Sequence, residues 1–244
     1  MIVGFAEYTD EIIDGIINHE LINAVVMGDP FCNKKMYEYG RSTMLEMIRA
    51  LLDQHKDVIY QTPRYITERN FDEEMQLVEY LVHKLGVRRI LVQDIGVIDY
   101  VHSKMPEAEL IWSMWGRSRM NMINAGFVST LRNLGVQYIE NDIMQRNAAF
   151  ESLGVIPYYV ARGVHYTTLN RECYSKYLEG NFSCECYHEC KAEQILKYKN
   201  DWTMTVDGYV LNRIYRKKEV PEYSDRTVVY VKDMQEFKTF LKEI

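Results

Sequence analysis

Cysteine spacing carries the most chemistry in this chain. Four of its five cysteines, Cys173, Cys184, Cys186 and Cys190, fall within "CYSKYLEGNFSCECYHEC" (173–190), which also holds His188. Thiolates bind soft metals and clusters strongly, and such a site needs about four of them. As buried small hydrophobes these cysteines would sit badly, because Glu172, Glu185, His188 and Glu189 make the segment too polar for a core strand. The residues alone leave the metal open. Structural zinc sites usually show CxxC knuckles, whereas this segment offers CxC and CxxxC, with His165 and His188 as further nitrogen donors. An iron–sulfur cluster held by loop cysteines and one remote cysteine, Cys32, suits the long, irregular spacing better.

Other chemistries find less support. No GxSxG, HExxH or papain-like cysteine context occurs, so a hydrolase lacks a recognisable nucleophile and base. His19, His55, His83 and His102 fall on or near helices of surface type, which fits solvated histidines. Arg64, Arg162 and Arg171 are candidates for clamping a carboxylate, with ordinary surface arginines as the competing reading. The 19 tyrosines are read first as packing.

The elements that must position these residues are legible as β/α units. With 244 residues, 47% of them hydrophobic, the chain can bury a full core without disulfides. An odd number of cysteines and no early apolar leader place the expected compartment in the cytoplasm, where thiols stay reduced. The net charge of -6 gives no bulk attraction for nucleic acid, and no apolar run is long enough to span a membrane. Short strand-like runs alternate with helical spacing: "MIVGFA" (1–6), "NAVVMG" (23–28), "DVIYQT" (57–62), "RRILVQD" (88–94), "AELIWS" (108–113), "VQYIEND" (136–142) and "VIPYYVA" (155–161). The intervening helices include one ending at Gly86, one from about Asn121 to Leu134 closed by Gly135, and one through Phe150 ending at Gly154.

Either "WTMTVDGYVLNRIYRK" (202–217), with its Asp-Gly turn, or "RTVVYV" (226–231) can supply an eighth strand. Seven units without GxGxxG point to a (β/α)8 TIM-type barrel, complete or distorted, rather than to an open doubly wound sheet. The whole chain, 1–244, then reads as one barrel domain with a metal-binding loop inserted at about 163–200. Function in a barrel sits at the carboxyl ends of the strands. Cys32, Arg64, Asp94, Trp115, Glu140, Asn141, Arg162 and His165 all follow or end strands there, and the cysteine segment begins on the same face, within reach of Cys32.

Several stretches resemble the collagenase-like peptidase family. "YQTPRYITERN" (60–70) is similar to a family strand and its Pro-Arg segment. "LGVRRILVQDIGVIDYVHSKMPEAELIWS" (85–113) is similar to the stretch in which a strand ends in Asp-x-Gly, here Asp94 and Gly96. "NMINAGFVSTLRNLGVQYIEND" (121–142) is similar to its Asn-Ala helix and next strand. "GDPFCNKK" (28–35) and the C-x12-C-x3-C spacing of Cys173, Cys186 and Cys190 resemble the UbiV-like branch, which acts in oxygen-independent hydroxylation.

That resemblance implies a [4Fe-4S] cluster on Cys32, Cys173, Cys186 and Cys190, with Cys184 left over. It also implies hydroxylation or a related modification of a small aromatic or isoprenoid metabolite, prephenate as oxygen donor and a homologous second subunit. Arg64, Asp94 and Asn124 are substrate-contact candidates by position. "ENDIMQRN" (140–147) matches the family only in part, so no catalytic role passes to Glu140. A peptidase-like hydrolase, or a non-catalytic partner subunit carrying zinc or a cluster, stands as the alternative.

Overall fold

The computed structural model describes residues 1–5, 8–28, 41–63, 66, 68–113, 124–141, 147–169, 194–197, 203–207, 210–217 and 223–243. They fall into two compact units, Met1–Arg162 with Lys217–Ile244, and Gly163–Arg216.

The first unit alternates strand and helix: β1 (Ile2–Phe5), α1 (Asp10–Ile17), β2 (Ala24–Gly28), α2 (Arg41–Asp53), β3 (Asp57–Gln61), α3 (Glu68–Leu85), β4 (Arg89–Val92), α4 (Ile95–Lys104), β5 (Glu109–Trp112), α5 (Ala125–Asn133), β6 (Val136–Asn141), α6 (Asn147–Ser152) and β7, which starts at Ile156 and runs to Leu169. Neighbouring strands from β1 to β7 pair in parallel. The later strand β11 (Thr227–Val231) then pairs in parallel with both β7 and β1 and closes the ring, before α7 (Met234–Lys242). This is a closed (β/α)8 barrel, and "RTVVYV" is its eighth strand. The second unit holds β8 (Gln194–Lys197), β9 (Thr203–Asp207) and β10 (Val210–Lys217), paired antiparallel as β8–β9 and β9–β10. "WTMTVDGYVLNRIYRK" therefore forms a hairpin there, and the segment expected as an inserted loop at 163–200 falls within this unit.

The barrel strands are apolar on both faces, as parallel strands covered by helices must be. One set, including Val3, Val25, Val58, Ile90, Leu110, Ile139 and Val229, packs outward against helix residues such as Ile16, Ile48, Leu81, Val101 and Phe237. The alternate set points inward, and a small central cavity is lined by one residue from each of the eight strands: Ile2, Val26, Ile59, Leu91, Ile111, Glu140, Tyr158 and Val228. Each buried Val, Leu or Ile contributes about 1.5–3 kcal/mol, so the two faces together drive closure.

Caps set where the helices begin. Thr9, Asp94, Asn124 and Asp233 are extended residues whose side chains accept backbone N–H bonds from the first turns of α1, α4, α5 and α7. Asn124 thus fixes the start of α5 at Ala125, later than the Asn121 expected from periodicity. Gly86, Gly135 and Gly154 follow α3, α5 and α6 with φ of 75°, 91° and 75°, the left-handed backbone that ends helices.

Polar groups close the amino end of the barrel. Arg89 donates to the Tyr158 hydroxyl at 3.1 Å and pairs with the Asp57 carboxylate, while the Tyr138 and Tyr158 rings lie 5.1 Å apart. Burial opposes the Arg89 charge, but Asp57 and Tyr158 outweigh it and raise its pKa. Burial raises the Tyr158 pKa even beside Arg89. These groups satisfy one another and leave the opposite end as the functional face.

Candidate functional site at the carboxyl ends of the barrel strands

Moving toward the carboxyl ends, the barrel interior changes character within one step of the pleat. Ile59, Leu91 and Ile111 line the central cavity, and two residues further along the same strands stand Gln61, Gln93 and Ser113. Of the eight buried polar or charged side chains among the described residues, six lie at these strand ends: Gln61, Thr62, Gln93, Ser113, Glu140 and Asn141. The polarity is therefore concentrated on the face where barrel proteins place their chemistry.

Glu140 is the centre of this arrangement. It is 1% exposed, and its carboxylate accepts from the Ser113 hydroxyl at 3.1 Å through Oε2 and from the Tyr230 hydroxyl through Oε1. Three strands, β5, β6 and β11, are tied together by these two bonds. Tyr230 can cross the interior because position 4 carries no side chain: a Cβ on Gly4 would stand 2.6 Å from Tyr230 Cδ1 and Cε1. A desolvated carboxylate held by two hydroxyl donors is an organised acceptor, suited to orienting a ligand or handling a proton.

On the adjoining strands β3 and β4, Gln93 donates from Nε2 to the Thr62 carbonyl at 3.1 Å, and the Thr62 N–H donates to the Leu91 carbonyl at 2.9 Å. Gln61 is 3% exposed, and its Nε2 has no hydrogen-bond partner among the described residues. Its backbone is fixed by Gly28, which has φ 119° and so close an approach that a Cβ there would stand 2.2 Å from the Gln61 carbonyl oxygen.

Of the residues singled out in the sequence, the structure places Glu140 and Asn141 in this buried group. Asp94 and Asn124 stand at helix starts and spend their side chains on caps. Asp94 Oδ1 accepts from Gly96 N at 2.7 Å and Val97 N at 3.2 Å, and Asn124 Oδ1 accepts from Phe127 N at 2.9 Å. The Arg162 backbone is in register with Val229, and His165 lies in β7. Arg64, Trp115, Arg171 and His188 lie outside the described residues, as do Cys32, Cys173, Cys184, Cys186 and Cys190. Among the described residues no group of three His, Cys, Asp or Glu side chains is placed to hold a metal ion, and no helix is long and apolar enough to cross a membrane.

Sequence reasoning missed Gln61, Gln93, Ser113 and Tyr230. The signal available was a polar residue two positions beyond an inward-facing apolar one, repeated on the neighbouring strands β3, β4 and β5.

A closed parallel barrel with a buried carboxylate network at its carboxyl-end mouth belongs to the (β/α)8 class, whose ligand sites are built at that end. Comparison with known proteins narrows the class. The model of Peptidase family U32 matches residues 16–234, and the chain belongs to that family. The solved structure of the U32 peptidase Mk0906 is similar over 94% of this chain and 91% of that one, with 10% sequence identity and a TM-score of 0.54, a likeness of fold. No curated protein matches the chain significantly in sequence.

Proposed function

We propose that this chain is an iron–sulfur member of its family, with a [4Fe-4S] cluster on Cys32, Cys173, Cys186 and Cys190. The proposed role is oxygen-independent hydroxylation, or a related modification, of a small aromatic or isoprenoid metabolite. The observation that carries the reading is the C-x12-C-x3-C spacing of Cys173, Cys186 and Cys190, combined with Cys32. Barrel topology supports it, since Cys32 follows the carboxyl end of β2 by four residues, Gly28 to Cys32. Four thiolates suit an iron–sulfur cluster as a donor set, and when bound the cluster supplies electron transfer or Lewis acidity. The barrel would contribute Glu140, Ser113, Tyr230 and Gln61 as the groups that orient a small substrate, with prephenate as oxygen donor and a homologous chain as partner.

The test is an anaerobic absorption and paramagnetic resonance spectrum, with iron and sulfide content, of wild type beside Cys32→Ala and Cys184→Ala. The reading requires loss of the cluster in the first variant and retention in the second. Zinc in place of iron, or loss in Cys184→Ala with retention in Cys32→Ala, overturns the ligand assignment.

The family's peptidase name favours a second reading as a hydrolase. Ser113 is the hydroxyl closest to such a role, but it donates to Glu140 and is fully buried. Peptide cleavage that survives Cys32→Ala would establish this reading in place of the first.

A further inference from the structure

We infer that the carboxyl-end layer of the barrel binds the oxygen of a small uncharged ligand, a hydroxyl or carbonyl group that accepts a hydrogen bond from the Gln61 amide. Gln61 continues the inward face of β3 two residues beyond Ile59, which lines the central cavity, and stands in register with Leu91 of β4, which lines it too. The residue is only 3% exposed, and its Nε2 is buried and lacks a partner among the described residues. A desolvated N–H without an acceptor is costly, and a barrel built only for stability would fill this position with Val, Ile or Leu, as it does at Ile59.

The position is also held rigidly. Gly28 lets β2 come within van der Waals contact of the Gln61 carbonyl, where a side chain would force the strands apart. A fixed, buried donor in the mouth of a barrel is a specificity element for an acceptor atom. The ligand oxygen is uncharged because the amide is a neutral donor and the same end of the barrel already buries the Glu140 carboxylate.

This inference deepens the proposed function, resting on its placement of the substrate at this end of the barrel and naming the group that Gln61 meets, but it does not depend on the cluster. Three probes of similar size separate the possibilities: phenol carries the acceptor oxygen, toluene lacks it, and benzoate places a charge there. Saturation-transfer NMR with the purified full chain should show phenol binding about five- to tenfold more tightly than toluene, the value of one neutral hydrogen bond, with benzoate weaker than phenol. Gln61→Leu should reduce phenol affinity to the toluene level without lowering the melting temperature. Gln61→Met, closer to glutamine in shape, serves as the second variant.

Absence of phenol saturation, equal binding of phenol and toluene, or phenol affinity unchanged in Gln61→Leu and Gln61→Met would each overturn the inference, leaving solvent as the amide's only partner. Benzoate binding as tightly as phenol would overturn the uncharged class. The cluster spectrum is read separately, so loss of phenol binding with the cluster intact bears on Gln61 alone.

Discussion

Gly4→Ala tests whether the buried network is built as described. The new Cβ would stand 2.6 Å from Tyr230 Cδ1 and Cε1, about 1 Å inside the ordinary carbon–carbon contact distance. The backbone of β1 is paired on both sides, with β2 and β11, so the ring rather than the strand must give way. Swinging the whole side chain about χ1 to clear the new methyl group carries the hydroxyl off Glu140. Overpacking a filled site costs about 1–3 kcal/mol, and losing a hydrogen bond to a carboxylate costs about 1.5–3 kcal/mol. Gly4→Ala is therefore expected to destabilise the barrel by roughly 2.5–6 kcal/mol. Tyr230→Phe, which removes the hydroxyl alone, is expected to cost about 1.5–3 kcal/mol.

Because the first substitution already breaks that bond, Tyr230→Phe should cost little in the Gly4→Ala background. The double-mutant cycle then shows a coupling of about 1.5–3 kcal/mol. Urea unfolding, followed by tryptophan fluorescence and far-ultraviolet circular dichroism, gives all four corners of the cycle. Two substitutions that add to within about 0.5 kcal/mol would refute the claim that Gly4 makes room for the Tyr230–Glu140 bond.

Three further outcomes follow from the same geometry. Tyr60 donates its hydroxyl to Glu74 Oε1 at 2.9 Å with both side chains buried, so Tyr60→Phe should lower stability by about 1.5–3 kcal/mol in urea unfolding. Asp94→Ala and Asn124→Ala should each cost about 1 kcal/mol as lost helix caps, and Asp94→Asn should restore most of it. If Asp94 also contacts substrate through its charge, Asp94→Asn will weaken turnover or binding while stability holds; unchanged function confines Asp94 to the cap. His19 has its pKa lowered from 6.5 by burial, then by Lys56 and Lys238, against an opposing effect of Glu20. The unfolded chain therefore takes up this proton at higher pH than the folded one. The His19 contribution is full above about 6.5 and is lost as pH falls toward the lowered value. The stability difference between wild type and His19→Gln should change across that window, and a difference that stays constant with pH would remove His19 from the titration.

The barrel was legible because parallel strands leave strong local marks. All seven of the runs from "MIVGFA" to "VIPYYVA" became β1 to β7, and Gly86, Gly135 and Gly154 ended their helices as their positions suggested. The eighth strand was ambiguous for a physical reason. "RTVVYV" and "WTMTVDGYVLNRIYRK" have similar strand character, and only pairing with β1 and β7 separates a parallel barrel strand from an antiparallel hairpin. Such pairing joins residues more than 200 positions apart, as Ile2 and Val228 are, and periodicity carries no information over that distance.

The site was less legible because its parts look ordinary one at a time. Ser113 and Glu140 are 27 residues apart, and Tyr230 and Glu140 are 90 apart. A serine after a strand reads as a turn, a tyrosine in "VVYV" reads as packing, and a glutamate beginning "ENDIMQRN" reads as a strand exit. Cysteines draw attention because their chemistry is rare and Glu140 because it ends a strand, whereas Gln61 becomes conspicuous only through burial. The inward face links the two kinds of evidence. Once the strand order is known, the change from Ile59, Leu91 and Ile111 to Gln61, Gln93 and Ser113 is a single step around neighbouring strands, and a core selected for stability alone would have no reason to take it.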